Sequence, residues 1–206
     1  RDAQESRGLG DVYKRQLVDR LRGMYAFAIW DTKKKRLFAA RDIFGIKPLY
    51  YAQMNGTLMF ASEIKAFMEH PKFDKVFNED ALGNYLSFQF VPTNETFFKG
   101  VFCLQPGHYF TYENGELNIT RYFEPNFTGD TEKSFEEIVD DVEAVMKESV
   151  AMHKISDVEV ASYLSSGVDS SYLTYLGQVD RTFTVGFDEG KYSEIQDAKE
   201  FAASIN

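Results

Sequence analysis

Seven consecutive residues, Ser165-Ser166-Gly167-Val168-Asp169-Ser170-Ser171, gather four hydroxyls, a glycine and a carboxylate directly after the mostly apolar run Val158 to Leu164. Between a strand and a helix, such a loop turns its main-chain N–H groups outward at a helix N-terminus, where unpaired donors and the helix dipole favour an anion. A phosphate group suits that site. Gly167 permits close backbone approach, the serine hydroxyls add donors, and Asp169 can hold a divalent cation that bridges phosphate oxygens. A Walker-type loop is excluded because no Gly-Lys-Ser/Thr ending follows. Serine and aspartate also favour a plain helix cap with no ligand, and both readings stand on the residues alone.

Elsewhere, candidates for chemistry are sparse. Asp42 follows Arg41 in the run Arg41-Asp42-Ile43-Phe44-Gly45-Ile46-Lys47-Pro48-Leu49-Tyr50, where a strand-end carboxylate paired with a neighbouring arginine is the simple reading. Cys103, in Val101-Phe102-Cys103-Leu104, is expected to be a buried, inert thiol rather than a nucleophile. One cysteine forms no internal disulfide, and His70, His108 and His153 lack metal-ligand spacing.

A net charge of −9 opposes non-specific attraction to nucleic acid or an anionic membrane, so neither is an expected partner. The basic cluster Lys33 to Arg36 lies between apolar runs and reads as a polar hairpin turn. No stretch approaches the ~20 apolar residues of a membrane span and no secretory signal is evident, so a cytoplasmic address is expected.

The elements that position these residues change character along the chain. Residues 1–16 lack helical or strand periodicity and are expected to be a non-native or disordered leader, such as a cloning scar. From Leu17, short strands are expected at Met24 to Trp30, Leu37 to Ala40, Leu49 to Ala52 and Leu58 to Ala61, with Asn55-Gly56 as a hairpin turn. A helix at Asn78 to Phe88, N-capped by Asn78, precedes a second hairpin, Gly107 to Tyr112 and Glu116 to Tyr122, turning at Asn114-Gly115. Loop-like residues 124–130 mark a boundary. Ser134 and Glu137 then form a capping-box pattern for a helix running to about His153. A β-loop-α-β unit follows: strand Val158 to Leu164, the serine loop, helix Ser170 to Leu176 and strand Thr182 to Phe187. Ser193 with Gln196 opens a further helix.

The serine run resembles the Ser-Gly-Gly-x-Asp-Ser signature of ATP pyrophosphatases, with Ser166 standing where the first signature glycine does. Arg41 to Tyr50 is similar to the Arg-Asp-x-x-Gly-x-x-Pro-Leu-Tyr stretch of glutaminase domains, and Phe183-Thr184-Val185-Gly186-Phe187 is similar to a strand whose main chain recognises adenine. Together these resemble the glutamine-hydrolysing asparagine synthetases. The fold implied is α/β and α+β. It combines part of an N-terminal-nucleophile glutaminase sandwich over residues 17–124 with the start of a parallel-sheet adenine nucleotide alpha-hydrolase-like domain over 125–206. The resemblance implies that Asp42 contacts the α-amino group of glutamine and that Leu164, Ser165, Ser166, Gly167, Val168, Asp169, Ser170 and Val185 bind ATP or its pyrophosphate. It further implies Asp169 as the ligand of Mg2+, and glutamine, aspartate and ATP as the small-molecule partners. A homodimer in the intact enzyme fits the same resemblance.

Such enzymes attack glutamine with an N-terminal cysteine, whereas this chain begins at Arg1, so no catalytic residue is assigned and the chain alone is expected to turn over neither glutamine nor aspartate. In the intact enzyme, the resemblance implies an aspartyl-adenylate that ammonia resolves. A related amidotransferase with another acceptor, such as a β-lactam-forming synthetase, and a non-catalytic interaction module remain the alternatives.

Overall fold

The computed structural model describes residues 16–129, 132–186 and 193–205. They fall into two compact units, divided after Phe127, within the loop-like stretch that composition marks as a boundary. Within the expected leader, only Gln16 lies among the described residues.

The first unit is two antiparallel sheets. Strands β1 (Ala26–Asp31), β2 (Arg36–Arg41), β6 (His108–Glu113) and β7 (Glu116–Arg121) form one sheet in the order β1-β2-β6-β7. Strands β3 (Tyr50–Met54), β4 (Thr57–Ala61) and β5 (Val101–Cys103) form the other, ordered β4-β3-β5. Asn55-Gly56 and Asn114-Gly115 turn the hairpins as the sequence predicts, all four residues having positive φ. The basic cluster closes the β1–β2 hairpin, where Asp31 Oδ1 accepts from the N–H groups of Lys33 (3.1 Å) and Lys34 (2.9 Å). Arg36 departs from that reading: it is the buried first residue of β2 rather than part of the turn.

Side-chain parity explains the layering. Leu37 and Ala39 of β2 point toward Tyr51 of β3, Phe110 of β6 and Leu104 in the loop before β6, so one apolar cluster joins the two sheets face to face. Phe38 and Ala40, one residue out of phase, pack with Val18 on the opposite face of the four-stranded sheet. Ala52 and Val101 meet Met59 and Phe67 on the outer side of the three-stranded sheet. β2 is therefore buried on both faces, which is why its sequence reads as continuous rather than alternating apolar.

Helix α1 (Glu79–Phe88) begins where expected, but Asn78 does not cap it through its side chain. The Asn78 amide instead donates to the Thr96 carbonyl at 3.1 Å, bracing the following loop. β5 was not anticipated; three residues are too few to show a period.

In the second unit, α2 (Phe135–His153) carries the expected capping box: Ser134 Oγ accepts from Glu137 N (3.2 Å), and Glu137 Oε2 accepts from Ser134 N (2.7 Å). Strands β8 (Ser162–Tyr163) and β9 (Thr182–Phe183) pair in parallel around α3 (Val168–Gly177), and α4 (Ile195–Ile205) follows. Both strands are shorter than expected. Val158 is 76% exposed, outside any ladder, and Phe187 lies outside the described residues. Among the described residues, no helix is long and apolar enough to cross a membrane.

Phe110, fully buried, sets its ring at a tilt to Tyr51 and edge-on to Phe60 at the junction of the sheets. Phe110→Ala is expected to lower stability by about 3–5 kcal/mol through the cavity left between the sheets, read from urea unfolding.

Candidate functional site

Two places concentrate polar side chains, one in each unit. In the first, Arg41 and Asp42 end β2 with opposite charges, yet each serves the main chain. The Arg41 guanidinium donates to three carbonyls: Nε to Lys47 O (2.7 Å), Nη1 to Leu104 O (2.6 Å) and Nη2 to Gly45 O (2.5 Å). The Asp42 carboxylate accepts from four N–H groups, those of Tyr25 (3.3 Å), Phe44 (3.2 Å), Ile46 (3.0 Å) and Lys47 (3.0 Å). Residues 43–47 are thus held by a donor fork on one side and an acceptor on the other.

Gly45 has φ of +65°, and a Cβ there would lie 2.7 Å from Pro106 Cγ and 3.0 Å from Arg41 Cζ. That position requires glycine. Tyr122 closes the arrangement. Its hydroxyl donates to Arg41 O at 2.6 Å and, its proton so used, accepts from the Tyr25 hydroxyl at 2.8 Å. Burial, reinforced by the contact with Tyr25, raises the Tyr122 pKa and keeps the phenol neutral.

These contacts bear on three expectations. Asp42 is fully buried with its oxygens engaged by main-chain donors, so its geometry is that of a loop-organising carboxylate and not of one presented to a ligand. Nor does it pair with Arg41. Cys103 is only half-buried, and Arg41 Nη1 lies 3.2 Å from its Sγ, so the thiol sits against a guanidinium rather than in wholly apolar surroundings. Arg41, Phe44, Tyr50, Phe90 and Cys103 line an open cleft of about 740 Å³.

The second place is the serine loop. Leu164, buried, ends the chain's passage through β8 and delivers Ser165 to the loop. Ser165 Oγ and Ser170 Oγ are 2.7 Å apart; Ser170 Oγ accepts from Ser165 N and Ser165 Oγ accepts from Gly167 N, both at 3.2 Å. Gly167 is the N-cap of α3 with φ −72° and makes no side-chain cap, while Ser171 N bonds Gly167 O at 3.1 Å.

Ser166 causes no strain, because the turn is made without a positive φ at either Ser166 or Gly167. Ser166, Val168 and Asp169 are exposed, with Asp169 in the first turn of α3. The loop therefore offers hydroxyls, a helix start and an outward carboxylate, a donor set that fits a phosphate with a hard divalent cation at Asp169.

Val185 follows β9 and is 74% exposed, so the alternative of a buried strand valine does not hold. Leu164 N bonds Phe183 O (2.9 Å) and Thr184 Oγ1 donates to Leu164 O (2.9 Å), which brings the residues before Val185 alongside the start of the loop. Sequence reading missed Arg41 and Thr184; nothing in residue type separates an ordinary strand threonine from one whose hydroxyl donates to the carbonyl of a neighbouring segment.

The Asp42 carboxylate offers a direct check. Burial raises its pKa, but the four N–H donors outweigh burial and hold it below the usual carboxylate value. Its contribution is fully present above the unfolded pKa of about 3.9 and is lost as pH falls through the lower folded value. Asp42→Asn is expected to lower stability by about 3 kcal/mol at pH 7, with the gap to wild type narrowing below about pH 4, measured by urea unfolding across pH.

Comparisons with known proteins agree with this division. A family model described as a glutamine amidotransferase domain matches residues 10–123, and one described as asparagine synthase matches residues 141–206. Asparagine synthetase [glutamine-hydrolyzing] 1 of Bacillus subtilis is 39% identical over 198 residues, covering 94% of this chain and 31% of the relative. A putative asparagine synthetase [glutamine-hydrolyzing] of Mycobacterium tuberculosis is 39% identical over 201 residues, covering 92% and 31%. Amidase chyE of Penicillium rubens is 34% identical over 199 residues, covering 86% and 29%. The chain spans about a third of the length of these curated relatives.

Proposed function

Because the chain belongs to the glutamine amidotransferase family, we propose that it serves glutamine-dependent asparagine synthesis, with the serine loop as the grip on the pyrophosphate of ATP. The observation that carries this reading is the loop between β8 and α3, with exposed Asp169 in the first helical turn, lying within the stretch similar to asparagine synthase. The reaction proposed for the whole enzyme is activation of the aspartate side-chain carboxylate by ATP as an aspartyl-adenylate, release of pyrophosphate, and displacement of AMP by glutamine-derived ammonia. Mg2+ would supply charge neutralisation between phosphate oxygens.

The chain's own residues would act as follows. Main-chain N–H groups at the start of α3 and the hydroxyls of Ser165, Ser166 and Ser170 receive phosphate oxygens, exchanging the Ser165–Ser170 contact for ligand contacts. Leu164 leads into the loop, Val168 lies within it at the first position of α3, and Gly167 leaves room for close approach. Asp169 takes the cation. Val185, exposed beyond β9, offers its main chain to the base. The parallel β8–β9 pair around α3 supports a domain that begins as an adenine nucleotide alpha-hydrolase-like parallel sheet.

Similarity to Amidase chyE favours a second reading, the same grip serving amide chemistry on a different acceptor.

Titrating Mg2+ and pyrophosphate by calorimetry is expected to show binding to the wild-type chain and at least about tenfold weaker binding to Asp169→Ala, the tenfold corresponding to about 1.4 kcal/mol. Equal affinities for two folded proteins would overturn the assignment of Asp169.

A further inference from the structure

The nucleotide reading leaves open what makes the Val185 main chain available, since a residue two positions beyond the end of a parallel strand would ordinarily supply the next ladder bond. In a parallel pair, each bonded residue on one strand engages two residues on the other, its N–H and its C=O alternating with neighbours two apart. Ser162 N bonds Arg181 O at 3.1 Å and Leu164 N bonds Phe183 O at 2.9 Å. The next regular step would be Val185 N to Leu164 O. Among the described residues, that bond is not formed, and the ladder ends at Phe183. Instead, Thr184 Oγ1 donates to Leu164 O at 2.9 Å.

We propose that Thr184 is a positioning residue that satisfies the buried Leu164 carbonyl with its hydroxyl, so that the Val185 amide stays outside the ladder and faces the nucleobase. This rests on the nucleotide reading of the same site and assigns a residue to its base-recognition end.

Three observations converge on it. Leu164 is 3% exposed, so its carbonyl needs a donor that water does not readily provide. Val185 is 74% exposed, turned out of the sheet rather than packed. Gly186 is pressed beneath helix α4, where an added Cβ would lie 2.1 Å from Ile195 Cδ1, which holds the chain just past Val185. The ligand chemistry that suits an exposed N–H and C=O on one residue is a purine edge carrying a ring acceptor next to an amino donor. Because Leu164 immediately precedes Ser165, the same hydroxyl couples the base end to the phosphate loop.

The test compares wild type, Thr184→Val and Thr184→Ser. Valine keeps the β-branched shape and removes the donor, so the Val185 amide is expected to take the vacated carbonyl and extend the ladder. Hydrogen exchange at the Val185 amide should then slow at least about tenfold in Thr184→Val, while Thr184→Ser exchanges as wild type does.

Calorimetry should show Mg-ATP binding weakened at least about tenfold in Thr184→Val, with Mg-pyrophosphate unchanged within about twofold and both affinities restored by serine. Equal losses for ATP and pyrophosphate, or unchanged ATP affinity, would overturn the proposal. So would a protected Val185 amide in the wild-type chain, a result that needs no variant to fold. Wild-type binding of pyrophosphate without ATP sinks this inference and leaves the loop assignment standing; binding of neither sinks both.

Discussion

The first unit depends on two adjacent side chains of opposite charge that ignore one another. Arg41 answers three carbonyls and Asp42 four N–H groups, and five of those seven partners belong to the short passage from β2 into β3. A chain leaving one sheet for another exposes main-chain polar groups that no ladder can satisfy, and burying them unpaired costs about 1–3 kcal/mol each. The pair removes that cost where the crossing occurs. Leu49 and Tyr51 can then enter the core shared by the two sheets.

The second unit solves a different problem with less material. Its parallel ladder has two residue pairs, and α2 buries no residue fully among those described. Side chains at helical spacing, including Ile138, Val142 and Val145, remain exposed. Hydroxyl contacts take over work that strands perform elsewhere: Ser162 Oγ meets Thr174 Oγ1 at 2.9 Å, Ser165 meets Ser170, and Thr184 ends the ladder. Such local bonds compete with regular structure, which suits a region whose loop must exchange internal partners for a ligand.

What could be read from the sequence was whatever residue type alone dictates. The Asn-Gly hairpins were legible because positive φ demands those residues, and the capping box because its two partners lie three apart. The division after Phe127 falls within residues 124–130, whose turn residues precede a change of hydrophobic period. The serine loop announced a helix start, and one was found at Val168. The hydrogen-bond partners of Asp42 were not legible, because they include Tyr25, 17 residues earlier, and depend on a backbone path that no local pattern reveals. Cys103 was misread for the same reason, since the guanidinium beside it comes from 62 residues away. The second strand of that unit ends earlier than its apolar content suggests, at the point where a threonine hydroxyl takes the Leu164 carbonyl.

The Tyr122 hydroxyl reaches Arg41 O across 81 residues. The Asp42 carboxylate, by contrast, finds all its donors between Tyr25 and Lys47. The crossing loop therefore has its acceptor within a short stretch of chain, while the clasp over it waits for β6 and β7 to close onto β2. Loop-closure entropy makes the near contacts cheap and the far ones slow. On a ribosome, the crossing can be shaped as soon as residue 47 emerges, but the tyrosine clasp must wait for nearly the whole unit, so the order in which the sandwich locks is written into the spacing of its hydrogen-bond partners.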